Sequence, residues 1–151
     1  MLSPDVVAGA RVLDLYAGSG ALGIEALSRG AASCDFVERD ARNAALIKEN
    51  LGLADVADRG RVHRVDVPRA PGRVGEPCSL VLADPPYEDD AAFAAIESVA
   101  GSRAVADDAT MVLELSSRRE PPAHCGPLTM TWNRSYGDTQ IAIYERTEAP
   151  S

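Results

Sequence analysis

Residues 11–23, RVLDLYAGSGALG, carry the reading on which the fold turns. Arg11 to Tyr16 form a short, largely apolar run with the length of a buried strand. It gives way at once to Gly18, Gly20 and Gly23. A core-facing helical stripe of Leu22, Ile24, Ala26 and Leu27 then runs to a stop at Gly30. Glycines permit a tight turn and a close approach of backbone to ligand, so a strand passing through them into a helix reads as the first unit of a ligand-binding α/β sheet.

The chain on either side repeats that alternation. SCDFVE (33–38) is a second strand, and Asp40 caps a helix that runs to about Leu51, with Gly52 as its terminator. RVHRVDV (61–67) alternates as a third strand, and the Pro/Gly-rich residues 68–77 form a loop. SLVLAD (79–84) is a continuous apolar strand suited to the middle of a parallel sheet. Asp89 or Asp90 then caps a helix over residues 91–100. A fifth strand follows at 110–116, a long loop at 117–127, and a hairpin in which 128–134 and 139–145 flank Ser135-Tyr136-Gly137-Asp138. Together these predict one α/β domain over residues 1–151. Its sheet is mostly parallel and seven-stranded, with right-handed crossovers and a C-terminal antiparallel hairpin. A ligand belongs at the carboxyl ends of such strands, where Asp14, Glu38, Asp66 and Asp84 all fall.

Bulk properties narrow the class. A formal charge of −8 opposes broad contact with a phosphate backbone. Cys34, Cys78 and Cys125 are scattered without CxxC spacing, and His63 and His124 are isolated. That set reads as reduced thiols in a cytoplasmic protein, with neither a disulfide framework nor a metal site. No apolar run is long enough for a bilayer, and the first residues lack a basic region followed by an apolar stretch.

The glycine loop suits two cofactors. Gly18-x-Gly20-x-x-Gly23 with Glu38 about twenty residues on, where a carboxylate can accept from ribose hydroxyls, fits NAD as well as S-adenosylmethionine (SAM). Asp14 favours the second. A carboxylate inside the strand end repels a pyrophosphate but helps to hold a cationic ligand, directly or through water. Asp66 is placed to accept from an adenine amino group with Val67 against the ring, although a strand-end turn residue is an equal reading of it. Asp89 and Asp90 read as helix caps.

LADPPY (82–87) supplies the chemistry. An exocyclic amine on a nucleobase is a poor nucleophile because its lone pair is delocalised into the ring. The Asp84 carboxylate and the Pro85 carbonyl can accept from its two N–H bonds and aim the lone pair. Pro85 and Pro86 hold those acceptors stiffly, and Tyr87 can stack on the ring.

VLDLYAGSGALGIEALSRGA, FVERD, LVLADPPY and the late YGDT together resemble the bacterial RsmD family over residues 11–146. The resemblance implies a Rossmann-like class I SAM-dependent methyltransferase acting on the 2-amino group of a guanine in 16S ribosomal RNA, as free RNA or in the small subunit. It implies a cofactor site of Asp14, Tyr16, Ala17, Gly18, Ser19, Gly20, Glu38, Arg39, Asp66 and Val67, and a catalytic site of Asp84, Pro85, Pro86 and Tyr87. Family members carry a basic segment and a helix before the first strand, whereas ten residues precede Arg11 here. Arg134 and Tyr136, beside the hairpin turn, are the substrate-binding candidates, ahead of Arg69, Arg73, Arg118 and Arg119. The competing readings are amino-methylation of adenine or of a protein glutamine, a nicotinamide-dependent oxidoreductase, and a binding module without turnover.

Overall fold

The computed structural model describes residues 4–87 and 89–147. Eight strands form one sheet: β1 (Arg11–Leu15), β2 (Ser33–Val37), β3 (Gly60–His63), β4 (Cys78–Ala83), β5 (Val105–Ser116), β6 (His124–Cys125), β7 (Leu128–Tyr136) and β8 (Thr139–Glu145). Their order is β3-β2-β1-β4-β5-β8-β7-β6. Strands β1 to β5 run parallel, and β8 inserts antiparallel between β5 and β7. The order reverses between β1 and β4, which opens a crevice at their carboxyl ends.

Alternation along each strand builds two cores. Leu13, Leu15, Val81, Ala83, Met111 and Leu113 face one side, where Ile96 and Val99 of helix α4 (Asp90–Ala100) cover them. Val12, Cys34, Phe36, Leu80 and Leu82 face the other. There they meet Ala26 and Leu27 of α2 (Ala21–Ser28) and Ile47 and Leu51 of α3 (Ala41–Leu53). Because helices cover both faces, the parallel strands read as unbroken apolar runs. A four-residue helix, α1 (Pro4–Val7), precedes β1.

The structure departs from the sequence reading in five places. The third strand ends at His63, not Val67, and Val67–Gly72 is a 3-10 helix with Asp66 as its N-cap. Pro68, without an N–H and with φ fixed, cannot serve a ladder but suits a helix start. Gly52 does not end the second helix, which continues to Leu53. Asp55 takes the left-handed turn at φ 59 instead, while Asp55 N–H donates to the Gly52 carbonyl and Val56 N–H to that of Leu51. These are the two bonds of a Schellman stop. The fifth strand starts at Val105, not 110, and bulges against β4 between Cys78 and Leu80. The loop at 117–127 contains β6, folded back on β7 through Gly126 and Pro127, with Gly126 at φ 57. Leu22, finally, is 41% exposed and lies outside the core stripe. All three cysteines are buried and free.

Candidate active site

The glycine loop is fixed from both sides. Tyr16 leaves β1 with φ 57, a conformation a bulky residue adopts only under constraint. Ala17 N–H then donates to the Val37 carbonyl and Gly20 N–H to that of Ala17, which closes the turn. Gly20 follows at φ 82 with Ile47 closely behind it. From α3, the Asn50 side-chain amide donates to the Ser19 carbonyl at 3.0 Å.

Gly20 has no side chain with which to cap α2, and Asp14 takes that task from within the sheet. Its Oδ2 accepts from Gly23 N–H, in the helix's first turn, at 3.1 Å. At 1% exposure Asp14 lies behind the loop and forms no part of the cavity wall, so direct contact with a ligand is not available to it. Burial first, and then the charges of Asp84 and Glu38, push its carboxyl up to about 8, against the Gly23 bond that lowers it. Asp14 therefore keeps its proton near neutrality when no cation is beside it.

Glu38, just beyond β2, stands against the glycine loop. Its Oε1 accepts from Gly18 N–H at 2.8 Å and its Oε2 from Asp40 N–H at 2.9 Å. Each oxygen keeps a lone pair for a further donor. Asp40 in turn accepts from Arg42 and Asn43 N–H and caps α3 as expected.

A cavity of about 830 Å³ opens between this loop and the carboxyl end of β4. Of the predicted cofactor residues, Tyr16, Ala17, Gly18, Ser19, Glu38, Arg39, Asp66 and Val67 line it, and Asp14 and Gly20 do not. Of the predicted catalytic residues, Asp84, Pro86 and Tyr87 line it, while Pro85 is buried behind them. Tyr87 is 74% exposed at the mouth; Glu88 lies outside the described residues. Arg39 reaches across to Asp66 at 3.7 Å, and Val67 is buried below.

Further residues that the sequence reading assigned elsewhere or missed also line the cavity, Leu22, Asp40, Asn43 and Asp89 among them. Leu22 turns from the core stripe to the wall, Asn43 joins from α3, and Asp89 both accepts from Ala92 N–H to cap α4 and faces the cavity. The charge of Asp89, after burial, raises the pKa of the Tyr16 hydroxyl. Asp89 and Asn43 each sit at the first turn of a helix beside a strand end, which was the one available signal. Arg134 and Tyr136 are not in the cavity wall. They stand near the hairpin turn, where Tyr136 is opposite Thr139 and Thr139 opposite Ser116. The turn is therefore at the same end of the sheet as Asp84. The Arg134 guanidinium lies 5.4 Å from the Tyr136 ring centre.

A glycine turn under a carboxylate at one end of a cavity and a proline-stiffened aspartate at the other is a two-substrate arrangement. Residues 1–145 match the model of a family described as conserved hypothetical protein 95. The chain belongs to this RsmD-like family of methyltransferases. It is 36% identical over 141 residues to YlbH of Bacillus subtilis, named as a candidate rRNA methyltransferase, covering 91% of this chain and 77% of that one. It is 28% identical over 141 residues to ribosomal RNA small subunit methyltransferase D of Escherichia coli K12, covering 93% and 71%. A solved Escherichia coli structure, yhhF, named as a candidate methyltransferase, superposes with a TM-score of 0.85 at 28% identity, covering 96% of this chain and 81% of that one. The RsmD-like fold is thus shared across the sheet, its antiparallel end included.

The cavity's chemistry suits a cationic nucleoside better than a dinucleotide. Glu38, Asp40, Asp66, Asp84 and Asp89 contribute carboxylates, and Arg39, the one arginine of the wall among the described residues, is already beside Asp66. A pyrophosphate would meet repulsion here, whereas a ligand with a sulfonium, an ammonium and ribose hydroxyls would meet acceptors.

Proposed function

We propose that this protein binds SAM and transfers its methyl group to the exocyclic 2-amino group of a guanine in 16S ribosomal RNA. One observation carries the reading: a single cavity joins the glycine loop and Glu38 to Asp84, Pro86 and Tyr87. The names of the relatives, rRNA methyltransferases, supply the substrate class. Among the described residues no helix is long and apolar enough to cross a membrane. A cytoplasmic encounter with small-subunit RNA or its assembling particle fits this reading.

On this reading Glu38 accepts from the ribose hydroxyls, Asp66 from the adenine amino group, and Val67 packs on the adenine. SAM, when bound, contributes an electrophilic methyl carbon on sulfur. The chain contributes orientation. The Asp84 carboxylate and the Pro85 carbonyl accept from the two amine N–H bonds, so the nitrogen lone pair points into the cavity, and Asp84 is placed to take the proton that the amine gives up. Tyr87 stacks on the base at the mouth, and Arg134 with Tyr136 contacts the flanking RNA. The test is tritium transfer from labelled SAM into small ribosomal subunits from cells that lack the enzyme. Label in a guanine 2-amino group is the expected result. Label in adenine, or only in a protein, would overturn the reading in favour of another amine.

A further inference from the structure

Beyond Asp84, on the side away from the cavity, stands a second carboxylate. Strands β4 and β5 run parallel with Leu82 beside Val112 and Ala83 beside Leu113, so Asp84, just past the end of β4, neighbours Glu114, which shares the face of β5 that Val112 occupies. The row continues across β8 and β7, where Ile141 is opposite Glu114 and Arg134 opposite Ile141. Helices α2 and α3 cover this face over β1, β2 and β3, and Glu114 is half-buried on the open side. Burial first, and the Asp84 charge second, raise the Glu114 pKa. Two like charges side by side on adjacent strands oppose each other, and a ligand with two neighbouring donors would relieve that opposition.

Guanine is such a ligand. Its Watson–Crick edge presents the 2-amino N–H bonds and, directly adjacent, N1–H; adenine presents an amine beside an acceptor nitrogen. Neighbouring strands are spaced about 4.8 Å apart, and the extra methylene of Glu lets its carboxylate converge with that of Asp84 on adjoining atoms of one ring. We propose that Glu114 is a specificity-determining residue that accepts the N1–H of the guanine whose amine Asp84 holds. This assignment rests on the guanine reading above. The site then requires two donors side by side, and a base with an acceptor at N1 would set its lone pair against a carboxylate.

The experiment first maps the guanine methylated by the wild-type protein. The 16S RNA is then rebuilt by splinted ligation, with guanine or 2-aminopurine at that position, and assembled with small-subunit proteins. 2-Aminopurine keeps the amine but has an acceptor at N1. The wild type is expected to favour guanine by about tenfold or more in kcat/KM. Glu114→Ala should slow guanine and leave 2-aminopurine within about threefold, so that the preference collapses. Glu114→Gln, whose amide can turn its NH2 towards N1, should shift the ratio further towards 2-aminopurine. Calorimetry with SAM reports that both variants are folded and keep the cofactor site. If both variants slow the two bases equally, Glu114 does not read N1 and the assignment falls while guanine methylation stands. If the wild type labels no guanine at all, the reading on which it rests falls with it.

Discussion

On the proposed reading the Asp84 carboxylate orients the amine while the glycine loop and Glu38 hold the cofactor, and a substitution separates the two. Asp84→Ala leaves the glycine loop and Glu38 untouched. SAM binding should stay within about threefold in calorimetry while methyl transfer falls by about 100-fold or more. Equal turnover in the variant would remove Asp84 from the reaction. Tyr87 is 74% exposed, so its loss costs little folding energy. Tyr87→Ala should reduce kcat/KM by about tenfold or more through the lost base stack, with Tyr87→Phe near the wild type. Asp14 gives a prediction of another kind. Unfolded it ionises near 3.8, and folded it holds its proton up to about 8, so the native state binds more protons between those values. Stability is therefore lost as the pH rises from about 4 to about 8, and the loss stops growing above that. Asp14→Asn keeps an acceptor for Gly23 N–H and has no charge to bury. Its melting temperature should match the wild type near pH 4 and exceed it by about 4 °C or more at pH 8. A difference that does not change with pH would contradict the raised proton affinity.

Among the elements, the join between β1 and α2 decides most. A Cβ built on Gly23 would lie 2.7 Å from Cys34 Sγ and closer still to the Phe36 ring, both rigid parts of β2. Gly23→Ala should cost about 1–3 kcal/mol, read as a lower urea midpoint with an unchanged slope, because helix and sheet cannot otherwise touch. A Gly23→Ala protein as stable as wild type would mean that α2 can slide. This unit was legible in the sequence because each constraint on it is local: strand length, glycine positions and apolar period. The hairpin was legible for the same reason, whereas its docking on the fifth strand, with β8 between β5 and β7, is a fact of topology that the sequence reading did not contain. The short β6 was not. Its two residues carry no periodicity, and its pairing depends on where β7 lies, so Gly126-Pro127 was the only mark of the turn. The early end of β3 was marked by Pro68 but masked by the alternation of residues 61–67. Leu22 has the spacing of a core residue and becomes cavity wall only because α2 stands at the switch point, a fact of topology. Glu114 was hidden likewise, since its meaning comes from the strand beside it.

Across the whole molecule, a formal charge of −8 has to be reconciled with an RNA substrate. Glu38, Asp40, Asp66, Asp84 and Asp89 line the cavity, where on the proposed reading they suit a cationic cofactor. Arginines at the hairpin end of the sheet, where Asp84 also lies, are the candidates for RNA contact beside the cavity. Arg118 and Arg119 follow β5, and Arg134 comes before the hairpin turn. Arg119 is held in place, 4.3 Å above the Phe93 ring and 3.4 Å from Asp90. Where these arginines carry the RNA contacts, recognition should rest on base stacking and hydrogen bonding more than on phosphate neutralisation. Each neutralised phosphate on a single strand contributes about −0.7 to the slope of log K against log salt. Two or three arginines therefore predict a slope of about −2 or shallower. Fluorescence anisotropy of this chain with a labelled 16S fragment across a potassium chloride series measures it. Arg134→Ala should weaken binding and flatten the slope by about one contact. A slope near −6 for this chain would demand a basic surface that these residues do not form, and the RNA would then have to be held somewhere other than the open face beside Asp84.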